Sequence, residues 1–246
     1  MRPTLSAILM LLLCAGLLAV MACAATTSST PSAKPAQPVA NTLTRGEMAA
    51  GWRLLFDGKT TAGWRGFKKT DMPAGWTVEA GALTRSAAAG DIVTLDEFGN
   101  FELAFDWMVI PAGNSGVFGR VTEDSTAVWH SAVEYQILDN KGHADGKKPE
   151  TSAGSAYALY APVNDVTKAP GEWNQGRIVM KGAHVEHWLN GVKIVKFELD
   201  GPGFAALVEK SKFKPYPQFG KAPRGRIAIQ DHGDKVSYRN IKIRPL

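Results

Sequence analysis

The 246-residue chain carries 28 Lys and Arg against 23 Asp and Glu, a net charge of +5 at neutral pH, with 45% hydrophobic residues. Its basic residues are scattered among acidic ones, with no basic stripe and no nucleic-acid motif, which counts against a nucleic-acid partner and leaves a soluble, mildly basic surface. Both cysteines, Cys14 and Cys23, fall near the N-terminus, so no disulfide framework forms and a domain of about 200 residues must be held by its own core.

Residues 1–23 read as an export signal: Arg2, an apolar run from Leu5 to Met21, then Ala22, Cys23, Ala24 and Ala25. The run is broken by Cys14-Ala15-Gly16 and is shorter than the roughly 20 apolar residues of a membrane span. Ala22-Cys23-Ala24 satisfies a small-residue cleavage rule, while Val20-Met21-Ala22-Cys23 is similar to a lipobox with Cys23 lipidated. Lipidation is preferred, because 24–44 is a tether whose Ser, Thr, Pro and Ala content resists packing. The expectation is an exported protein, in the periplasm or on the outer membrane, touching a membrane only through that lipid.

From Trp52 onward, short β segments alternate with Gly, Pro, Asn and Asp. Candidate strands are Trp52–Phe56, Gly75–Glu79, Ala82–Thr84, Asp91–Leu95, Gly99–Ile110, Gly116–Val121, Ala132–Leu138, Tyr157–Tyr160, Asn174–Lys181, His184–Leu189, Val192–Leu199, Arg226–Gln230 and Val236–Arg244. Phe101, Leu103, Phe105 and Trp107 alternate with Glu102, Ala104 and Asp106, as in a central strand with one face in a core. Asn190-Gly191 predicts a type I′ hairpin, since both residues take positive φ easily. One short helix is expected from Gly203 to about Lys212, stopped by Pro215 and Pro217. A single all-β domain over 45–246, a two-sheet antiparallel sandwich or jelly roll, accounts for this spacing.

Three segments carry candidate chemistry. In Val133-Glu134-Tyr135-Gln136-Ile137-Leu138-Asp139, strand periodicity puts Glu134 and Gln136 on one face, an acid beside an amide, able to grip hydroxyls or remove a carbon-bound proton. His187 lies three residues before the hairpin turn and titrates near neutrality, which suits a base, although it shares a face with Val185 and Leu189. Gln230 and His232 share a face at the end of another strand entering a turn, where the segment either closes the rim of a cleft or supplies ordinary turn chemistry through Asp231 and Gly233. Trp173-Asn174 opens a strand at a loop, where a flat ring is available to stack on a sugar. No nucleophile-elbow, zinc-protease, phosphate-loop or dinucleotide motif occurs. His130, Glu134, Asp139 and His143 are the donors from which a divalent metal ion site would have to be built, at a spacing that matches no standard set.

Asn114-Ser115-Gly116-Val117-Phe118, the Val133–Asp139 segment, Gly171-Glu172-Trp173-Asn174, His187-Trp188-Leu189-Asn190-Gly191, Ile229-Gln230-Asp231-His232-Gly233 and Arg239-Asn240-Ile241-Lys242-Ile243 occur in this order, after Leu55-Phe56-Asp57-Gly58 and Gly63-Trp64. Together they resemble the 3-keto-disaccharide hydrolase family over nearly the whole chain from Gly51. The resemblance implies a concanavalin-like jelly roll related to lectins and laminarinase-type glucanases, and a small carbohydrate substrate. Glu134-x-Gln136-x-x-Asp139 is similar to the catalytic strand of those glucanases, but Gln136 stands where they carry an acid, which disfavours a two-carboxylate retaining mechanism. A glycoside oxidised at C3 offers another route, in which a base removes the acidified C2 proton and the C1 substituent leaves. For that chemistry the candidates are His187 or Glu134 as base, and Gln136, Arg120 or a bound cation at the enolate oxygen. Asn114, Asp139, Tyr160, Trp173, Asn174, Gln230 and His232 are the candidate sugar contacts. A non-catalytic carbohydrate-binding module and an ordinary glycosidase pairing Glu134 with Glu172 or Asp231 are the alternatives.

Overall fold

The computed structural model describes residues 39–246. The segment read as an export signal, Cys23 and most of the expected tether lie outside the described residues. The packed region begins ahead of Arg45: Asn41 donates from its backbone to Asn240 Oδ1 at 2.6 Å and from its amide to Gly81 O at 2.8 Å. Helix α1 (Arg45–Ala49) follows, opened by a capping box between Thr44 and Glu47.

The strands are β1 (Arg53–Leu54), β2 (Trp64–Gly66), β3 (Trp76–Glu79), β4 (Ala82–Arg85), β5 (Ile92–Phe98), β6 (Phe101–Val109), β7 (Asn114–Val121), β8 (Glu134–Leu138), β9 (Asn174–Lys181), β10 (His184–Leu189), β11 (Val192–Glu198), β12 (Gly225–Ile229) and β13 (Val236–Pro245); α2 (Pro202–Glu209) precedes β12. One sheet runs β11-β10-β9-β6-β13-β4-β3, with β1 on β13; the other runs β2-β5-β12-β7-β8, and every pairing is antiparallel. This is the expected jelly-roll sandwich, with two short helices where one was expected.

Period-two alternation builds the core. Phe101, Leu103, Phe105 and Trp107 of β6 point between the sheets with Val117, Tyr135, Ile137, Ile178, Tyr238 and Ile243. The outward acids of β6 are neutralised in place: Glu102 pairs with Arg177 at 2.7 Å and with Arg244, and Asp106 with Arg239 at 3.2 Å. Asn190 and Gly191 sit at φ 49° and 83°, as the hairpin reading requires.

The structure departs from the expected strands at two places, each for a local reason. Trp64–Gly66 forms a strand that was not expected, because three residues are too few to show alternation. Tyr157–Tyr160 does not form one, because Ala158 has φ 59° and Tyr160 folds back to bond Ala156. Instead the backbone from Gly154 to Tyr157 lines the free edge of β8: Gly154 N donates to Gln136 O at 2.8 Å and Tyr157 N to Glu134 O at 3.1 Å.

The segment after β11 is anchored by a column of near-parallel rings, Tyr160–Phe197–Phe204–Phe219–Phe213, with centroids 4.8, 5.8, 6.0 and 4.2 Å apart. Phe219→Ala removes a buried ring from within this column, and we expect a loss of about 3–5 kcal/mol in urea unfolding, with a change well below 1 kcal/mol counting against the column as the anchor.

Candidate functional site

The site lies on the face of the five-stranded sheet turned away from the other sheet. Cross-strand partners share a face, so Gly116 opposite Gln136 and Phe118 opposite Glu134 fix which side chains meet. Phe118 joins Val93, Val121, Val128, Ala132 and Ala228 in an apolar cluster covered by the turn at Val128–His130. Beside that cluster the same face is polar. There a cavity of about 200 Å³ is lined by Asn114, Trp129, Glu134, Gln136, Asp145, Tyr157, Lys212, Gln230 and His232.

Glu134 sits at its floor, 6% exposed, and its carboxyl has no hydrogen bond to protein among the described residues. Burial pushes its pKa up to about 8; the Lys212 charge pulls it down, while Asp91 and Asp145 push it up. Gly116 lies directly beneath: a Cβ there would overlap Glu134 Oε1. The glycine of Asn114-Ser115-Gly116 thus makes room for the carboxyl.

Around Glu134 the floor is rich in unpaired acceptors. Among the described residues, five buried side-chain polar atoms lack a partner, and Asn114 Oδ1, Gln136 Oε1 and Gln230 Oε1 are three of them. Buried acceptors left unpaired in a polar cavity are the groups a hydroxylated ligand satisfies. The walls hold the ionisable groups. Tyr157 donates to Asp145 Oδ2 at 3.1 Å, and Asp145 is fixed by His143, whose Nδ1 accepts from Asp145 N at 3.1 Å. Burial and the neighbouring Asp145 raise the Tyr157 phenol well above its usual range. At the rim, Asn114 Nδ2 lies 3.4 Å from His232 Nε2.

The match to known proteins follows this layout. Residues 51–244 match the sequence profile of the 3-keto-α-glucoside-1,2-lyase-like domain. The chain belongs to that family. Within it, a 3-keto-disaccharide hydrolase of Bacteroides thetaiotaomicron is 31% identical over 80% of this chain and 79% of its own. Two Parabacteroides distasonis proteins described as candidate glycosyl hydrolases have the same fold. One is 34% identical at TM-score 0.79, covering 85% of this chain and 100% of its own; the other is 31% identical at TM-score 0.63, covering 79% and 99%.

Of the residues singled out by sequence, Glu134, Gln136, Asn114, Gln230 and His232 meet in this cavity of the 3-keto-α-glucoside-1,2-lyase-like domain. The others do not. His187 belongs to the opposite sheet and is 2% exposed, packed on Tyr135 with Nδ1 3.0 Å from Gly154 O. Burial drops its pKa to about 4, although the Gly154 and Ser155 carbonyls favour its charged form. It is a neutral core histidine that donates to Gly154, and contrary to the expectation from sequence it is not placed to act as the base.

Arg120 lies at another cleft and spends its guanidinium on Gly99 O, Gly182 O and Asn100 Oδ1, so it is no enolate partner. Asp139 accepts from Ala112 N and Lys141 N and holds a turn. Asn174 Oδ1 accepts from Lys168 N and Asn190 Nδ2. Tyr160 is stacked on Phe197, and the Trp173 ring is covered by the Arg239 guanidinium at 4.1 Å.

The two carboxylates weighed as partners for Glu134 are elsewhere too: Glu172 caps Ala169 N, and Asp231 pairs with Arg85 at 2.7 Å. The metal donors also disperse. His130 stacks on Tyr216 at 3.8 Å, Asp139 holds its turn, and among the described residues no three His, Cys, Asp or Glu groups are placed to hold a metal ion.

Asp145, Tyr157 and Lys212 were missed. Each comes from a connection between strands, where strand periodicity gives no direction, and only the fold brings them beside Glu134.

The unpaired carboxyl has a signature in stability. An unfolded Glu titrates near 4.5 and the folded Glu134 near 8, so its contribution is most favourable at low pH and is lost as pH rises through that window. Glu134→Gln should therefore raise Tm relative to wild type by an amount that grows from pH 5 to pH 9 in differential scanning calorimetry; a difference independent of pH contradicts the raised pKa.

Proposed function

We propose that this protein cleaves 3-keto-glycosides, acting in the cell envelope as an exported lipoprotein anchored through Cys23. The observation that carries the proposal is a buried carboxyl without a hydrogen bond from protein among the described residues, set among three amide oxygens that lack a protein partner there, in a small cavity. The family, and a relative named 3-keto-disaccharide hydrolase, support the choice of substrate class.

The arrangement suits one-base chemistry. A carboxylate that titrates near 8 is a far stronger base than an ordinary one, and a ketone at C3 acidifies the neighbouring C2–H. Glu134 takes the C2 proton as the C–H electron pair forms the enolate. The enolate then collapses, the C3 carbonyl re-forms, a C1–C2 double bond appears, and the C1–O bond breaks. The departing oxygen takes up the proton held by Glu134, directly or through water, which restores the carboxylate, and addition of water across the new double bond yields the free keto-sugar. Asn114, Gln136 and Gln230 accept from the sugar hydroxyls and orient C2 towards Glu134, with His232 at the rim.

An unoxidised glycoside lacks the acidified proton and is expected not to react. The test is release of product from 3-keto-trehalose and 3-keto-glucosides, with the unoxidised parents as controls. Cleavage of the keto sugars alone, reduced at least about 10³-fold in Glu134→Gln, is the expected result. Cleavage of the parents would favour an ordinary glycosidase, with Asp145 as the second carboxylate in the cavity, and binding without turnover would favour a carbohydrate-binding module. Because the base must be ionised, kcat/KM should rise with pH and level off near 8; a profile that falls over this range makes Glu134 an acid instead.

A further inference from the structure

Elimination through an enolate places negative charge on the C3 oxygen, and a fixed cationic partner lowers the cost of that charge. We infer that Lys212, delivered by the segment after α2, is the catalytic cation that binds the C3 oxygen and stabilises the enolate formed there. This rests on the reading of the cavity as a 3-keto-glycoside site.

Four observations lead to it. Lys212 is the one Lys or Arg lining the cavity among the described residues, and it shares that cavity with Glu134. It has no ion-pair or hydrogen-bond partner among the described residues, and of the two acids that line the cavity with it, Asp145 is committed to Tyr157 while Glu134 is the proposed base. Its ammonium is held by rings instead, 4.4 Å from the centroid of Tyr157, 5.1 Å from Trp129 and 5.3 Å from Phe213. Ring faces attract a cation without neutralising it, so the charge is placed and remains available. Phe213, the next residue, ends the ring column that anchors the segment, so the backbone bearing Lys212 is fixed by core packing.

The roles weighed for Arg120 and for a bound cation thus fall to one side chain. Before reaction the ketone oxygen accepts a hydrogen bond from the ammonium. As C2–H breaks, the electron pair moves into the C2–C3 bond and the carbonyl π electrons onto oxygen, against the Lys212 charge. The charge returns to the C1 substituent as it leaves, and no redox partner is involved.

Two readouts separate this from a structural role. Lys212 is exposed at the surface, so its replacement leaves the core intact. With 3-keto-trehalose as substrate in D₂O, exchange of deuterium into C2 reports enolate formation independently of C1–O cleavage. Lys212→Met is expected to lower kcat at least about 100-fold, the scale for losing one oxyanion partner, with KM changed far less, and to suppress the exchange in proportion; Lys212→Arg recovers part of both.

Glu134 feels Lys212 as a pKa-lowering charge, opposed by Asp91 and Asp145. The ascending limb of kcat/KM, or the titration of the Glu134 carboxyl followed by its ¹³C shift, therefore moves to higher pH in Lys212→Met and stays near wild type in Lys212→Arg. A Lys212→Met enzyme within threefold of wild type in kcat, or with an unmoved Glu134 titration, overturns the inference while the proposed function stands. A wild-type enzyme that neither cleaves nor exchanges keto-sugars overturns both.

Discussion

The constraint on which the site depends is the burial of Glu134 without a hydrogen bond from protein among the described residues. The other buried acids of the described residues are neutralised: Glu102 has two arginines, Asp106 has Arg239 and Asn240, and Asp139 has backbone N–H groups. Only at Glu134 is a buried acid set into a cavity and left alone. The cost is a carboxyl held neutral over most of the physiological range; under the proposed function the gain is a base whose proton affinity matches a carbon acid far better than a solvated glutamate does.

The sandwich holds this state from two directions. From the neighbouring strand, Gly116 contributes no side chain and so leaves a place for the carboxyl. From the free edge of β8, the backbone of Gly154 to Tyr157 supplies the missing ladder bonds and places the Tyr157 ring at the cavity wall. His187 reaches across the core to bond Gly154, which makes it a tie between the opposite sheet and the edge that carries the site. A residue that reads in sequence as chemistry is, in the fold, part of what keeps the chemistry in position.

Much of this was legible in the sequence. Strands β6, β9 and β10 follow directly from alternation, the hairpin from Asn190-Gly191, and the shared face of Glu134 and Gln136 from strand period. Alternation states which residues share a face of one strand, but not which of two sheets that strand joins. His187 and Glu134 therefore looked equivalent, although one points into the core and the other away from it. Arg120, on the strand that gives Asn114 to the site, takes φ 59° next to the register shift with β12, and its guanidinium goes to another cleft. The wall residues Asp145, Tyr157 and Lys212 lie on connections, which carry no periodic signal.

The central claim is that Glu134 breaks a C2–H bond. The most direct measurement is the primary deuterium isotope effect on kcat/KM for a 3-keto-glucoside labelled at C2, with a good leaving group and a poor one at C1. The account predicts a substantial normal effect, largest with the good leaving group, where proton removal limits the rate. An effect of unity for both substrates, with cleavage still requiring Glu134, would contradict it and return Glu134 to a role at the glycosidic oxygen.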